Sequence, residues 1–197
     1  MIIARTVVGL LALAAACGGS PREPVGLPPE PPAEPVLVGD RSDLSTLRWL
    51  DPSAPFDLTA HRLTLLRWWT VQCPFCLDSL PALGELRRRF GEDALGLVGV
   101  FHPKSTIVPT DAQVIAYARE LGFGGAIASD DRWRALEQLR ERYGLDAATS
   151  ISVLVDGDGV VQWVHPGPRL HRSDDSDMAE ADRSFRELEA LLAARLR

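Results

Sequence analysis

The stretch that decides the fold is "HRLTLLRWWTVQCPFCLDSLPALGELRRRFG", residues 61–91. Residues 61–70 form a strongly apolar run, which predicts a buried strand. Apolar residues then recur at helical spacing, at Leu80, Leu83, Leu86 and Phe90. That spacing predicts a helix over 74–91. Cys73 and Cys76 stand at the junction, and their spacing alone fits a redox pair, half of a metal site or one reactive thiol.

The place of Cys73 at a helix start favours a reactive thiolate. Backbone N–H groups at a helix N-terminus point toward this sulfur, and the helix dipole favours negative charge there, so we expect a lowered thiol pKa. Cys76 lies one turn further in, where it can attack a mixed disulfide formed on Cys73. Pro74 is tolerated in the first helical turn. Phe75 is expected to be exposed enough to touch a substrate.

Beyond this junction, strand and helix patterns alternate along the chain. Strands are predicted at 94–101, 126–129, 151–155 and 160–165, and helices at 111–122, 130–144 and from about 176 onward. The turn "DGDG" (156–159) indicates an antiparallel hairpin. Upstream, "LRWL" (47–50) and "FDL" (56–58) suggest a short helix and an added edge strand. This order predicts an α/β domain with a central mixed sheet and helices on both faces.

The first 39 residues have the composition of a targeting segment followed by a spacer. Arg5 precedes a short apolar run that ends in small residues, so 1–16 is predicted to be a signal peptide of the lipoprotein type. The sequence "LAAAC" is similar to a bacterial lipobox and makes Cys17 the expected lipidation site. The proline-rich segment 17–39 then predicts an extended linker, and 40–197 one folded domain. We therefore expect an extracytoplasmic, membrane-anchored lipoprotein that faces the periplasm.

Composition excludes some classes of function. The chain has 197 residues, 46% of them apolar, with a formal net charge of −6. An acidic chain of this kind is not typical of a nucleic-acid surface. No apolar run is long enough for a polytopic membrane protein. If Cys17 is lipidated, only the pair Cys73–Cys76 remains, so no structural disulfide framework competes for these sulfurs.

Several motifs together resemble the thioredoxin superfamily, and in particular the extracytoplasmic TlpA/ResA-like thiol–disulfide oxidoreductases of the redoxin type. They are the CxxC pair at a helix start, Pro81 five residues after Cys76, "GVFHPKS" (99–105) and "VLVDGDGVV" (153–161). The resemblance covers roughly residues 45–170. It implies a thioredoxin-like fold.

The resemblance also implies an activity. It implies a membrane-tethered enzyme that exchanges disulfides with exported proteins, with Cys73 as the attacking sulfur and Cys76 as the resolving one. The redox-active disulfide would be its only redox group, without a cofactor or metal. The expected partners are exported protein thiols or disulfides and a membrane electron donor or acceptor, with no nucleic acid, and the chain is expected to be a monomer.

The chain departs from the family pattern at two places. The family has a cis-proline beside the CxxC, whereas this chain has Thr149–Ser150, for which we expect a trans bond. The missing proline leaves metal binding open. The family often has an acidic or amide residue six positions before the first cysteine, where this chain has Arg67. If Arg67 faces the thiols it stabilises thiolate and makes the pair more oxidising. The alternative is that Arg67 points to the sheet surface.

Other functions remain open from the residues alone. Two thiolates with a histidine such as His165 could bind Cu(I) in a copper-handling module. Thr70 lies three residues before Cys73, as in peroxiredoxin-like peroxidases, but Leu66 stands where those enzymes have proline. The disulfide could also be inert in a partner-docking domain. The four histidines are each expected to lie at the surface: His61, His102, His165 and His171.

Overall fold

Six strands build one mixed sheet in the computed structural model, which describes residues 44–53, 56–71, 73–145 and 149–197. The strands are β1 (Arg48–Trp49), β2 (Leu63–Trp69), β3 (Leu95–Phe101), β4 (Ala126–Ser129), β5 (Ser152–Asp156) and β6 (Val161–His165). Their order across the sheet is β1-β4-β3-β2-β5-β6. Strands β2, β3 and β4 pair in parallel, and the other pairings are antiparallel. The predicted mixed sheet and its terminal hairpin are confirmed.

Helices cover both faces of this sheet. They are α1 (Cys76–Phe90), α2 (Asp111–Glu120), α3 (Arg134–Tyr143) and α4 (Ala179–Arg195). Buried side chains of α1, α2 and α4 share one core layer, and those of α3 belong to the layer on the opposite face. The α/β class is therefore as predicted. Among the helices described, none is both long and apolar enough to cross a bilayer. The predicted signal peptide (1–16) and linker (17–39) lie outside the described residues.

The central strand β2 is covered on both faces, and every one of its residues is buried. Leu65 and Trp69 belong to the core layer of α1, whereas Leu66 and Trp68 belong to that of α3. Because successive side chains of a strand point to opposite faces, Arg67 lies on the same face as Leu65 and Trp69. The sheet therefore directs the Arg67 side chain toward α1.

The N-terminal part of the domain contains both predicted elements, an edge strand and a short helical element, but the edge strand comes first in the chain. "RW" at 48–49 forms β1, which pairs antiparallel with β4. The Arg48 guanidinium donates to the carboxylates of Asp111 and Asp131. The helical element is only a 3-10 turn, Leu58–Ala60, in which the Asp57 carboxylate accepts a hydrogen bond from the Thr59 N–H.

Parallel strands bring their carboxyl ends to one edge of the sheet, and the CxxC segment lies at that edge. Asp130, directly after β4, is buried there and joins the strand end to α3. Its carboxylate accepts hydrogen bonds from the Trp68 Nε1–H at 3.2 Å and from the Leu136 N–H at 2.9 Å. Buried polar groups are stable only when they are hydrogen-bonded, so this carboxylate joins the Trp68 side chain of β2 to the first turn of α3.

We expect Asp130→Ala to lower the free energy of unfolding by about 2–4 kcal/mol, because it leaves buried donors without an acceptor. Urea denaturation followed by circular dichroism measures this loss. Asp158→Ala, at an exposed turn position, is the matched control and should change the free energy by less than about 0.5 kcal/mol. Equal stability of the two variants would contradict the assigned role of Asp130.

Candidate active site

The two cysteines flank the start of α1, and both are free thiols. Cys73 is in the loop between β2 and α1 and is partly exposed, whereas Cys76 is the first residue of α1 and only 1% exposed. The Cys76 N–H donates to the Cys73 carbonyl oxygen at 3.0 Å, which closes the turn. The predicted arrangement of an accessible outer sulfur and a buried inner sulfur is what the structure shows.

The two thiols differ strongly in acidity. The pKa of Cys73 is lowered to about 5, chiefly because the Cys76 thiol donates to its sulfur, with further help from Ser150 and from the backbone N–H groups of Cys76 and Phe75. Burial of Cys73 opposes this shift. The hydrogen bond to Cys73 and burial raise the pKa of Cys76 well above its usual value. At neutral pH, therefore, Cys73 is a thiolate and Cys76 keeps its proton.

The segment Thr149–Ser150 stands beside the outer sulfur. The Ser150 hydroxyl oxygen lies 3.7 Å from the Cys73 sulfur, and Ser150 is only 4% exposed. Thr149 turns the other way, and its hydroxyl accepts a hydrogen bond from the Lys104 ammonium at 2.6 Å. No peptide bond among the described residues is cis, so the bond joining Thr149 to Ser150 is trans, as predicted. A side-chain hydroxyl thus occupies the place for which the resemblance implied proline.

Arg67 is fully buried and does not point to a sheet surface, so that alternative is wrong. Its guanidinium donates to the Ser150 carbonyl at 3.2 Å, the Ser152 hydroxyl at 3.1 Å and the Gly167 carbonyl at 3.3 Å. It also donates to the Pro168 carbonyl. One side chain therefore holds together the two loops that flank the thiols.

The charge of Arg67 is directed at the sulfurs. Burial lowers its pKa, while attraction to Cys76 and then to Cys73 favours the cation. Arginine has an ordinary pKa far above neutral pH and stays charged in proteins. In return, the cation favours the thiolate form of Cys76. No Asp or Glu side chain among the described residues forms an ion pair with Arg67.

Three of the four histidines are buried, so the expectation that they lie at the surface is wrong for His102, His165 and His171. Burial lowers the pKa of His102 to about 4, with the Lys104 and Arg67 cations adding to the effect. Burial and then Arg67 likewise lower the pKa of His165 to about 4. Both rings are therefore neutral at physiological pH.

The loop after β6 forms the other side of the site, and no motif in the sequence predicts this. The Ser79 hydroxyl donates to the Phe75 carbonyl and accepts from the Leu170 N–H, both at 3.0 Å, which ties this loop to the start of α1. Arg169 lies over the Phe75 ring, 4.1 Å from its centroid. Phe75 was expected to be exposed, but it is half-buried because the Arg169 guanidinium covers its ring. Pro74 is exposed.

The described residues do not provide the three ligands that the copper hypothesis requires. In the part of the chain that the structure describes, no group of three or more His, Cys, Asp or Glu side chains is placed to hold a metal ion. His165, the histidine considered as a third ligand, is engaged elsewhere. Its Nε2 lies 2.9 Å from the Arg169 carbonyl oxygen, and its ring stacks on Trp163.

Comparison with solved structures identifies the fold. A thiol–disulfide isomerase from Corynebacterium glutamicum matches at a TM-score of 0.55 and 18% identity, covering 82% of this chain and 96% of the other. A putative thiol:disulfide interchange protein DsbE from Chlorobium tepidum matches at 0.55 and 20% identity, covering 82% and 99%. The chain has a thioredoxin-like fold. A putative protein disulfide isomerase from Bacteroides thetaiotaomicron, at 0.59 and 17% identity over 82% and 91%, agrees.

The thioredoxin-like fold was predicted from the CxxC segment and its surroundings, and the comparisons confirm it. No protein-family model matches the sequence, and no curated protein matches it. The fold brings Cys73, Cys76, Arg67 and Ser150 together, whereas Cys17 lies outside the described residues. The roles assigned to these residues stay predictions that the following experiments test.

Alkylation of reduced Cys17→Ser protein by iodoacetamide should follow the titration of Cys73. We expect a rate that is nearly constant above pH 7 and falls about tenfold per pH unit below the pKa of about 5, because only the thiolate reacts. Ser150→Ala should move this profile to higher pH. Thr149→Val, whose lost hydroxyl faces Lys104, should leave it in place. A Cys73 that titrates near its ordinary pKa would contradict the geometry.

Proposed function

We propose that this protein is a membrane-tethered thiol–disulfide oxidoreductase that exchanges disulfides with exported proteins through the pair Cys73-Pro-Phe-Cys76. The observation that carries the proposal is the difference between the two sulfurs. Cys73 is an accessible thiolate, whereas Cys76 is a buried, protonated thiol. Thiol–disulfide exchange needs this pairing of an attacking and a resolving sulfur. The enzyme class of the similar structures supports it.

The exchange proceeds through a mixed disulfide. In the reducing direction, the Cys73 thiolate attacks a substrate disulfide, and one substrate sulfur leaves as thiolate. Cys76 then loses its proton and attacks Cys73, which releases the second substrate sulfur and leaves the Cys73–Cys76 disulfide. The oxidising direction is the reverse sequence. The Arg67 cation favours the Cys76 thiolate that must form in either direction.

The surroundings of Cys73 provide a contact surface for the substrate. Pro74 is exposed beside the sulfur, and Phe75 carries Arg169 on its ring. Ser150, next to the sulfur on the other side, can donate a hydrogen bond to the Cys73 thiolate when it departs from a mixed disulfide. A hydrogen bond that strengthens as charge develops accelerates the step.

Cysteine substitution tests the two roles. Cys73→Ser should abolish exchange with a model protein disulfide, because no attacking thiolate remains. Cys76→Ser should accumulate mixed disulfides on Cys73, visible as a mass increase that a reductant removes. The matched control is Cys17→Ser, which removes the third cysteine of the chain and should leave exchange unchanged. Disulfide exchange that persists in Cys73→Ser would contradict the mechanism.

The tether is a separate part of the proposal and rests on the N-terminal sequence. A lipidated Cys17 followed by a proline-rich linker would hold the domain at the membrane surface, where exported thiols and a membrane electron partner are in reach. We expect the wild-type chain, expressed in a bacterium with lipoprotein processing, to fractionate with membranes and to incorporate a palmitate probe. Cys17→Ala should lose the probe while Cys73–Cys76 exchange is retained. An unlabelled wild-type chain would rule out the lipid anchor.

A further inference from the structure

The buried charge of Arg67 has no carboxylate to balance it among the residues that the structure describes. Its hydrogen-bond acceptors are all neutral: three carbonyl oxygens and the Ser152 hydroxyl. Its Nε–H is buried without an acceptor. A buried cation is costly unless a negative charge lies nearby. The neighbours that can supply this charge are the sulfurs of Cys76 and Cys73.

The redox state of the pair decides whether that negative charge exists. The dithiol form carries one thiolate at neutral pH, whereas the disulfide is uncharged. His102 and His165, the other titratable side chains buried beside Arg67, are neutral and add no charge in either state. Oxidation therefore leaves the guanidinium buried without a counter-ion, and reduction restores one.

We propose, on the basis of the function proposed above, that the buried Arg67 makes the Cys73–Cys76 disulfide an acceptor of electrons, so that the protein oxidises pairs of cysteine thiols in exported proteins. Stabilising the dithiol state relative to the disulfide makes a redox pair more oxidising. The substrate class is thus reduced, exported proteins with two thiols close enough to be joined.

The reaction balances as a two-electron exchange. A substrate thiolate attacks Cys73 in the disulfide, the S–S bond breaks, and Cys76 leaves as a thiolate opposite Arg67 and takes up a proton. The second substrate thiol loses its proton and attacks the substrate sulfur of the mixed disulfide, which releases the Cys73 thiolate. The substrate is oxidised to a disulfide and the protein is reduced to the dithiol. A more strongly oxidising disulfide of a second carrier must restore the starting state.

One consequence concerns stability. Folding and reduction are linked, so a fold that favours the dithiol is less stable when the disulfide is closed. This reverses the usual effect of a disulfide, which stabilises the folded state by restricting the unfolded chain. The oxidised protein should therefore unfold at a lower urea concentration than the reduced protein.

The test uses the full chain with Cys17→Ser, so that Cys73 and Cys76 are the only thiols. Two quantities are measured: the urea midpoints of both redox forms, and the equilibrium constant with reduced and oxidised glutathione. Arg67→Met removes the charge but keeps a long apolar side chain, and Arg67→Lys keeps a cation. The matched control is Arg119→Met, because Arg119 also donates to two loop carbonyls but lies at the end of α2.

We expect the reduced form to have the higher urea midpoint. In Arg67→Met this difference should shrink or reverse, and the glutathione equilibrium should move about tenfold or more toward the disulfide, since a neighbouring charge shifts a pKa by about 1–3. Arg67→Lys should shift the equilibrium less than Arg67→Met. Arg119→Met should not change it. Because both quantities compare two forms of the same variant, a general loss of stability in Arg67→Met does not imitate the result.

Two results would overturn the inference. One is an oxidised form that is more stable than the reduced form. The other is an Arg67→Met equilibrium within twofold of the parent value. If disulfide exchange persists with either result, the proposed oxidoreductase function is retained and only the proposed oxidising direction is rejected. A pair that exchanges with no dithiol or disulfide at all would remove both.

Discussion

A guanidinium buried behind a pair of thiols constrains the whole site. Arg67 lies on the face of the central strand that α1 covers, so its charge is held in the layer where Cys76 begins that helix. Its donors reach the main chain on both sides, at Ser150 and at the loop 167–168. The loops around the thiols thus depend on the same side chain that supplies the positive charge, and structure and reactivity are coupled.

The outer sulfur is controlled by other groups. Helix N–H groups, the Cys76 thiol and the Ser150 hydroxyl all favour the Cys73 thiolate. Ser150 is itself positioned by Arg67, which binds its carbonyl oxygen. Removing the arginine should therefore disturb both sulfurs, the inner one through its charge and the outer one through the position of a hydroxyl. The nearby histidines, His102 and His165, are buried and neutral, and they do not titrate near neutral pH.

The sequence was sufficient for the fold, because the apolar runs, the turn signals and the CxxC junction all agree with one arrangement. It could not orient Arg67, because β2 is apolar on both faces and shows no alternation that would tell one face from the other. Burial of His102 and His165 is equally invisible, since the sequence does not show which loops and side chains will cover a strand end: the Trp133 ring packs against His102, and the Arg169 carbonyl oxygen contacts His165. The contact between Arg169 and Phe75 joins residues 94 positions apart through such a loop.

The central claim is that the reduced site keeps one thiolate beside a buried cation. The slope of the midpoint potential against pH tests it most directly, because the slope counts the protons taken up on reduction. Between pH 6 and 8 the account predicts uptake of one proton with two electrons, a fall of about 30 mV per pH unit. A fall of about 59 mV per pH unit, corresponding to two protons, would show two neutral thiols and contradict the account.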